Sequence, residues 1–303
     1  MDIKFEDLLF YDIEVFQYNS MVVFKNIEGN TVKVFSSDIN GLGDYWEVIE
    51  KGYSNLESFI EGKVLVGYNN HYYDDYVLQA MVYVGNGSFD EEHIKTWNDK
   101  IIVERTQYGI KRVDNITLDV FQQIDVSRPS LKKVEGNMGV SIIESEVDFT
   151  IERPLTPKEN LETLKYCEYD VEQTVKVFKM REDYFKSKFK VIEMMENDNL
   201  KKNAVRWNTT SIVGDLLCPA GGMSHKVFLP EDYLETYVGD KTELLEMWNQ
   251  IYTVSITDNK FKKKKVVYSE FENAVEFGWG GLHGAPKGFL DVENVRLADV
   301  ALT

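Results

Sequence analysis

Cysteine, histidine and long apolar runs are scarce in this chain of 303 residues. The only cysteines are Cys167 and Cys218, far apart, which excludes a disulfide framework and points to a reduced, intracellular protein. The four histidines, His71, His93, His225 and His283, show no zinc-ligand spacing. No apolar segment approaches the roughly 20 residues that span a bilayer, so the expectation is a soluble protein without membrane contact. MDIKFEDL at the start has no basic stretch followed by a long apolar one. Positive charge is also in deficit: 34 Lys and Arg stand against 51 Asp and Glu, a formal net charge of -17. That balance argues against nonspecific adhesion to nucleic acid or anionic membrane as the main activity. It leaves room for an enzyme that holds phosphates locally through carboxylate-bound cations. A phosphate-binding GxxxxGK[ST] loop and a nucleophile elbow are both missing, as are repeats and low-complexity linkers.

What is present is a packable chain, 43% hydrophobic, with mixed α and β signals. LLFYDIEVF reads as a strand, and SMVVFKNIEG with NTVKVFSS as an antiparallel hairpin turning at Glu28-Gly29-Asn30. DYWEVIEKGYSNLESFI reads as a helix, KVLVGYN as a short strand, and a further helix starts near Tyr73. Another helix is expected over Asp90 to Asn98, a strand at ITLDVFQQ, and a short helix at SLKKVEGNMG closed by Gly139. Thr156, Pro157 and Glu159 form a capping-box pattern that opens a long helix. Its buried stripe is expected at Leu161, Leu164, Val171, Val175 and Phe178. NTTSIVGDLL suggests one more helix, and YTVSITDNKFKKKKVVYSE a hairpin turning at Asp258-Asn259. Lysines 260 and 262 to 265 in KFKKKK read as a solvated hairpin edge that discourages strand pairing, with phosphate contact as the rival reading.

Three short stretches carry carboxylates that chemistry could use. On LLFYDIEVF, Asp12 and Glu14 are two apart and share one strand face, while Tyr11, Ile13 and Val15 share the other. Two like charges on a core strand need a cation or a raised pKa. GYNNHYYDDYVL places Asp74 and Asp75 at a helix start, where the helix dipole alone accounts for an acid. YCEYDVEQT puts Tyr166 and Asp170 four apart on one helical face. Taken singly, each motif is more often structural than catalytic.

Together, YDIEVF, GYNNHYYDDYVL and YCEYDVEQT resemble the three exonuclease motifs of family B DNA polymerases of phage type, the tyrosine-bearing branch of the DEDD exonucleases. Tyr76 departs from the pattern, standing where proline is common. The resemblance implies an α/β, RNase H-like exonuclease fold over residues 1–195, a mixed sheet flanked by helices. Residues 196–303 would be an α+β extension leading toward a polymerase palm. FGWGGLHGAPKG resembles the glycine-rich link between exonuclease and polymerase modules, and RLADVALT the opening of the first palm motif, with Asp299 in the metal-binding place. The later palm motifs are not in the sequence, so polymerisation is not expected from this chain.

The implied activity is stepwise 3′ to 5′ removal of nucleotides, a proofreading task. Asp12, Glu14, Asp74 and Asp170 would hold two Mg2+ ions, with Mn2+ able to substitute, because hard cations take oxygen ligands. Tyr166, a poor base at neutral pH, would orient the water. The resemblance further implies nucleic-acid contacts at Asn69, Val15 and Phe16. Expected partners are a single-stranded DNA 3′ end or primer terminus and a C-terminal polymerase chain, for a monomer in the cytoplasm of a bacterial or phage-infected cell. The rivals are an RNA-directed exonuclease of the same superfamily and a DNA-binding assembly module of a split polymerase.

Overall fold

The computed structural model describes residues 3–122 and 129–217, together with three strands between 264 and 286. The chain divides into two compact units, Met1–Met223 and Ser224–Thr303. In the first, a six-stranded mixed sheet runs in the order β4-β3-β2-β1-β5-β6. Its strands are β1 (Leu8–Val15), β2 (Ser20–Lys25), β3 (Thr31–Ser36), β4 (Ile49–Lys51), β5 (Val64–Gly67) and β6 (Ile116–Asp119). The hairpin β2–β3 is antiparallel as expected. Gly29 supplies its turn with φ 91°, a conformation that costs residues with a Cβ.

β1 is central, antiparallel to β2 and parallel to β5. Its alternation sends two residue sets into two cores. Leu8 and Phe10 pack with Leu164, Val171 and Phe178 of the long helix α5 (Pro157–Met180). Leu9, Tyr11, Ile13 and Val15 pack on the opposite face with Val77, Leu78 and Met81 of α2 (Asp74–Gly85) and with α3 (Glu92–Ile102). α5 begins with the expected capping box: the Thr156 side chain accepts from the Glu159 amide, and the Glu159 carboxylate accepts from the Thr156 amide. Ser130 caps α4 (Leu131–Met138), and Gly139, with φ 71°, closes it. α6 (Glu182–Glu193) follows α5 after a break at Arg181.

One expectation needs correction. DYWEVIEKGYSNLESFI is no continuous helix: a 3-10 turn at Gly43–Tyr45, strand β4 and the short helix α1 (Leu56–Ile60) share it. Gly52 has φ 73°, which interrupts a right-handed helix, and Val34 of β3 pairs with Ile49, so tertiary pairing overrides the local helical pattern. The first compact unit extends to Met223. α7 (Asp198–Ala204) and α8 (Thr209–Leu217) belong to it because Ala204, Val205 and Ile212 are buried in the α5-side core.

The second unit holds a three-stranded antiparallel sheet of β7 (Lys264–Val267), β8 (Ala274–Gly278) and β9 (Gly281–Pro286). The segment FGWGGLHGAP, expected as a link, therefore contributes the end of β8 and all of β9. Lys264 and Lys265 lie on β7, at one edge of this sheet. The proposed turn at Asp258-Asn259 and the palm-like tail fall outside the described residues. Among the described residues no helix is long and apolar enough to cross a membrane.

Candidate metal centre

β5 pairs with β1 only from Leu8 to Phe10, so Asp12 and Glu14 extend beyond the last parallel rung. This is the carboxyl end of the parallel strands, the place where α/β sheets receive ligands. β2 supports the other side, with Val23 opposite Asp12 and Met21 opposite Glu14. α5 lies over the face that bears the two acids.

Glu14 is buried at 7% exposure and Asp74 at 6%. Among the described residues no side-chain donor reaches either carboxylate. Burial pushes the Asp12 carboxyl up to about 7, with the Asp170 charge adding to it. Glu14 is also raised, by burial first and then by Asp12, Asp170 and Asp74; Asp74 is raised by burial and by Asp12. The four acids that the sequence singles out thus act on one another inside a poorly solvated site. The tightest group consists of one oxygen each from Asp12 and Glu14 and the Cys167 sulfur, all within 4.8 Å of one another. This buried group can hold a metal ion. Asp74 and Asp170 lie beside that triad rather than within it.

Asp170 is engaged by Lys132 of α4, whose ammonium bonds its Oδ1 and sits 3.5 Å from Glu135 Oε1. The same ammonium stands 4.8 Å from the Tyr166 ring centroid, a cation–π distance. Burial, with the Asp170 charge beside it, raises the pKa of Tyr166, so the phenol stays protonated at neutral pH. Lys132 is the cation that lowers the pKa of Asp12, Glu14 and Asp170. One ammonium against four carboxylates leaves the site short of positive charge. That deficit, and two buried acids without side-chain donors, fit divalent cations.

Asp75, next to Asp74, has a different place. It is fully buried and accepts from Tyr11 Oη at 2.6 Å, Asn70 Nδ2 at 2.9 Å and Thr117 Oγ1 at 2.7 Å, with Arg206 at 3.7 Å. It is a structural anchor between α2, the sheet and the α7–α8 turn. Gly67 permits this arrangement, because a Cβ there would stand 2.6 Å from Cβ of Asn70.

The expected nucleic-acid contacts are placed unequally. Asn69 is exposed in a left-handed conformation, φ 60°, and its amide donates to Asp119 Oδ1 at 2.7 Å, leaving the side chain free of that turn. Val15 is buried in the α2-side core. Phe16 is 2% exposed and stacks on Phe149 with centroids 4.9 Å apart, so its ring is covered. His71 is a packing residue: it bonds the Thr117 carbonyl at 2.9 Å, and burial pushes its pKa down to about 4.

Sequence reasoning passed over Lys132 and Cys167. Cys167 had a readable signal, since it lies three residues after Leu164 and four before Val171, on the buried stripe that faces β1. Lys132 had none, because its helix meets α5 only through the fold. The sequence matches no protein-family model and no curated protein.

Proposed function

We propose that the protein is a divalent-cation-dependent 3′ to 5′ exonuclease acting on DNA 3′ ends, built on an RNase H-like sheet. One observation carries this reading: acids from β1, α2 and α5 act on one another at the carboxyl end of the central strands, beside a protonated tyrosine. Asp12, Glu14, Asp74 and Asp170 are the residues that would hold Mg2+. Bound there, the cations would supply charge neutralisation and a lowered pKa for water, the two needs of phosphodiester hydrolysis.

The chain's own groups do the rest. Tyr166 keeps its proton and offers a hydrogen bond beside the acids, which suits orienting a water and not abstracting its proton. Lys132 offsets negative charge at Asp170 when a phosphate enters. Asn69, exposed beside the strand ends, is available to the terminal nucleotide. Phe16 could stack on a base only after Phe149, itself 44% exposed, swings aside. The acidic net charge fits local capture of a 3′ end and not adhesion along a duplex.

A 5′-labelled single-stranded DNA should be shortened stepwise in Mg2+ or Mn2+ and left intact in chelator. Asp12→Asn should lower the rate by more than about 100-fold, the upper cost of losing even an outer-shell metal partner. Undiminished activity in that variant would end the proposal. DNA in preference to RNA rests on the palm-like tail RLADVALT, and a matched RNA substrate decides it.

A further inference from the structure

Mg2+ chemistry gives no role to sulfur, yet the sulfur of Cys167 is directed at the acids. Cys167 is fully buried on α5, one residue after Tyr166. Its Sγ is 3.5 Å from the Asp12 carbonyl and 3.8 Å from Asp12 Oδ2. A buried cysteine is ordinarily a small apolar filler, inert in its core. Here a second observation stands beside it. Glu14, more than nine-tenths buried, meets no side-chain donor among the described residues and supplies the third atom of the 4.8 Å group.

We propose that Asp12, Glu14 and Cys167 form a thiophilic cation site that takes Zn2+ or Cd2+ through two carboxylate oxygens and one thiolate. This rests on the cation-binding part of the reading above and not on the nuclease part. Tetrahedral zinc with Zn–S near 2.3 Å and Zn–O near 2.1 Å sets its donors roughly 3.5 Å apart, so the group closes by about 1 Å through side-chain rotation. A fourth position stays open to water. Binding replaces the S–H bond by an S–metal bond, and the proton leaves to solvent without change of oxidation state. Soft ions drive that exchange, while Mg2+ keeps to oxygen and leaves the thiol protonated. Because Asp12 and Glu14 serve both ions, a thiophilic ion at the triad competes with Mg2+.

The test uses the full chain with Cys218→Ser, so that Cys167 is the only thiol. Titration with Cd2+ should produce a sulfur-to-cadmium charge-transfer band that saturates at one ion per chain, with release of a proton. Adding Cys167→Ser, or Cys167→Ala should serine fold poorly, should abolish the band and weaken Cd2+ binding by roughly 10–100-fold. The Mg2+ affinity, read from the Mg2+-induced rise in Tm, should move by less than about threefold, since that ion takes oxygen ligands. Asp12→Asn should weaken Cd2+ binding and shrink the band. No band in the parent chain, or equal Cd2+ affinity without Cys167, overturns the proposal. A full band at full affinity in Asp12→Asn also overturns it, by showing a lone thiol. A chain that binds Cd2+ in this way yet leaves DNA uncut in Mg2+ supports the site and refutes the nuclease. DNA cleavage without the band refutes the sulfur alone.

Discussion

Asp74 and Asp75 follow one another at the start of α2, both buried, yet only Asp75 accepts hydrogen bonds from other side chains. Asp75 binds Tyr11 on one face of β1, whereas Asp74 shares the field of Asp12 and Glu14, which belong to the other face. Adjacent acids of one type thus have different surroundings: donors hold Asp75, whereas Asp74 faces other acids.

Opposite effects on stability follow from that division. Asp75→Ala should cost about 3–5 kcal/mol, because it strands Arg206 and three neutral donors. Asp74→Asn should leave stability unchanged or raise it, since it removes one of several repelling acids, a common trade at functional sites. Urea denaturation of the metal-free chain measures both. A larger loss for Asp74→Asn than for Asp75→Ala would reverse the assignment.

Lys132 gives a second expectation. With Lys132→Met, Asp170 loses its ion pair and the cluster loses its cation. Stability should fall by about 1–2 kcal/mol after discounting for partial solvent exposure. Mg2+ should restore more Tm to this variant than to the parent, because the metal takes over charge compensation. An equal Mg2+ increment in both proteins would contradict that link.

His71 supplies a pH dependence. Its folded pKa is lowered from 6.5 to about 4, so its contribution is fully present above 6.5 and lost as pH falls through 4. Asp119 beside it is raised from 3.8 to about 7, which has the opposite sign across much of the same window. The Tm advantage of the parent over His71→Gln should therefore grow from pH 4 to 6.5 and then level off. Thermal melts across that range test it, and an advantage that shrinks with rising pH would exclude a neutral, buried His71.

Thr156→Ala should remove one half of the capping box on α5 and cost about 1 kcal/mol. Chemical denaturation measures this, with Thr156→Ser expected to restore most of it. No loss in the alanine variant would mean that the Glu159 carboxylate and Pro157 suffice to start the helix.

Local chemistry made much of the fold legible. The alternation in LLFYDIEVF, the turn at Gly29, the cap at Thr156 and the stop at Gly139 each follow from a few neighbouring residues, and each appears as read. The stretch from Asp44 to Ile60 failed for the same reason in reverse. Its helical spacing was real, but pairing of Ile49 with Val34 across the fold outweighed it.

By itself the sequence determined which carboxylates share a strand face, which share a helix face, and that their charge required compensation. Only the tertiary structure decided between Asp74 and Asp75, brought Lys132 from α4 onto Asp170, and turned Cys167 toward Asp12. Those relationships join residues far apart in the chain, and periodicity along one element carries no information about which atom of another element it will meet. Burial then sets their chemistry: the same acids would titrate as ordinary surface groups in water, and they are pushed upward because α5 closes over β1.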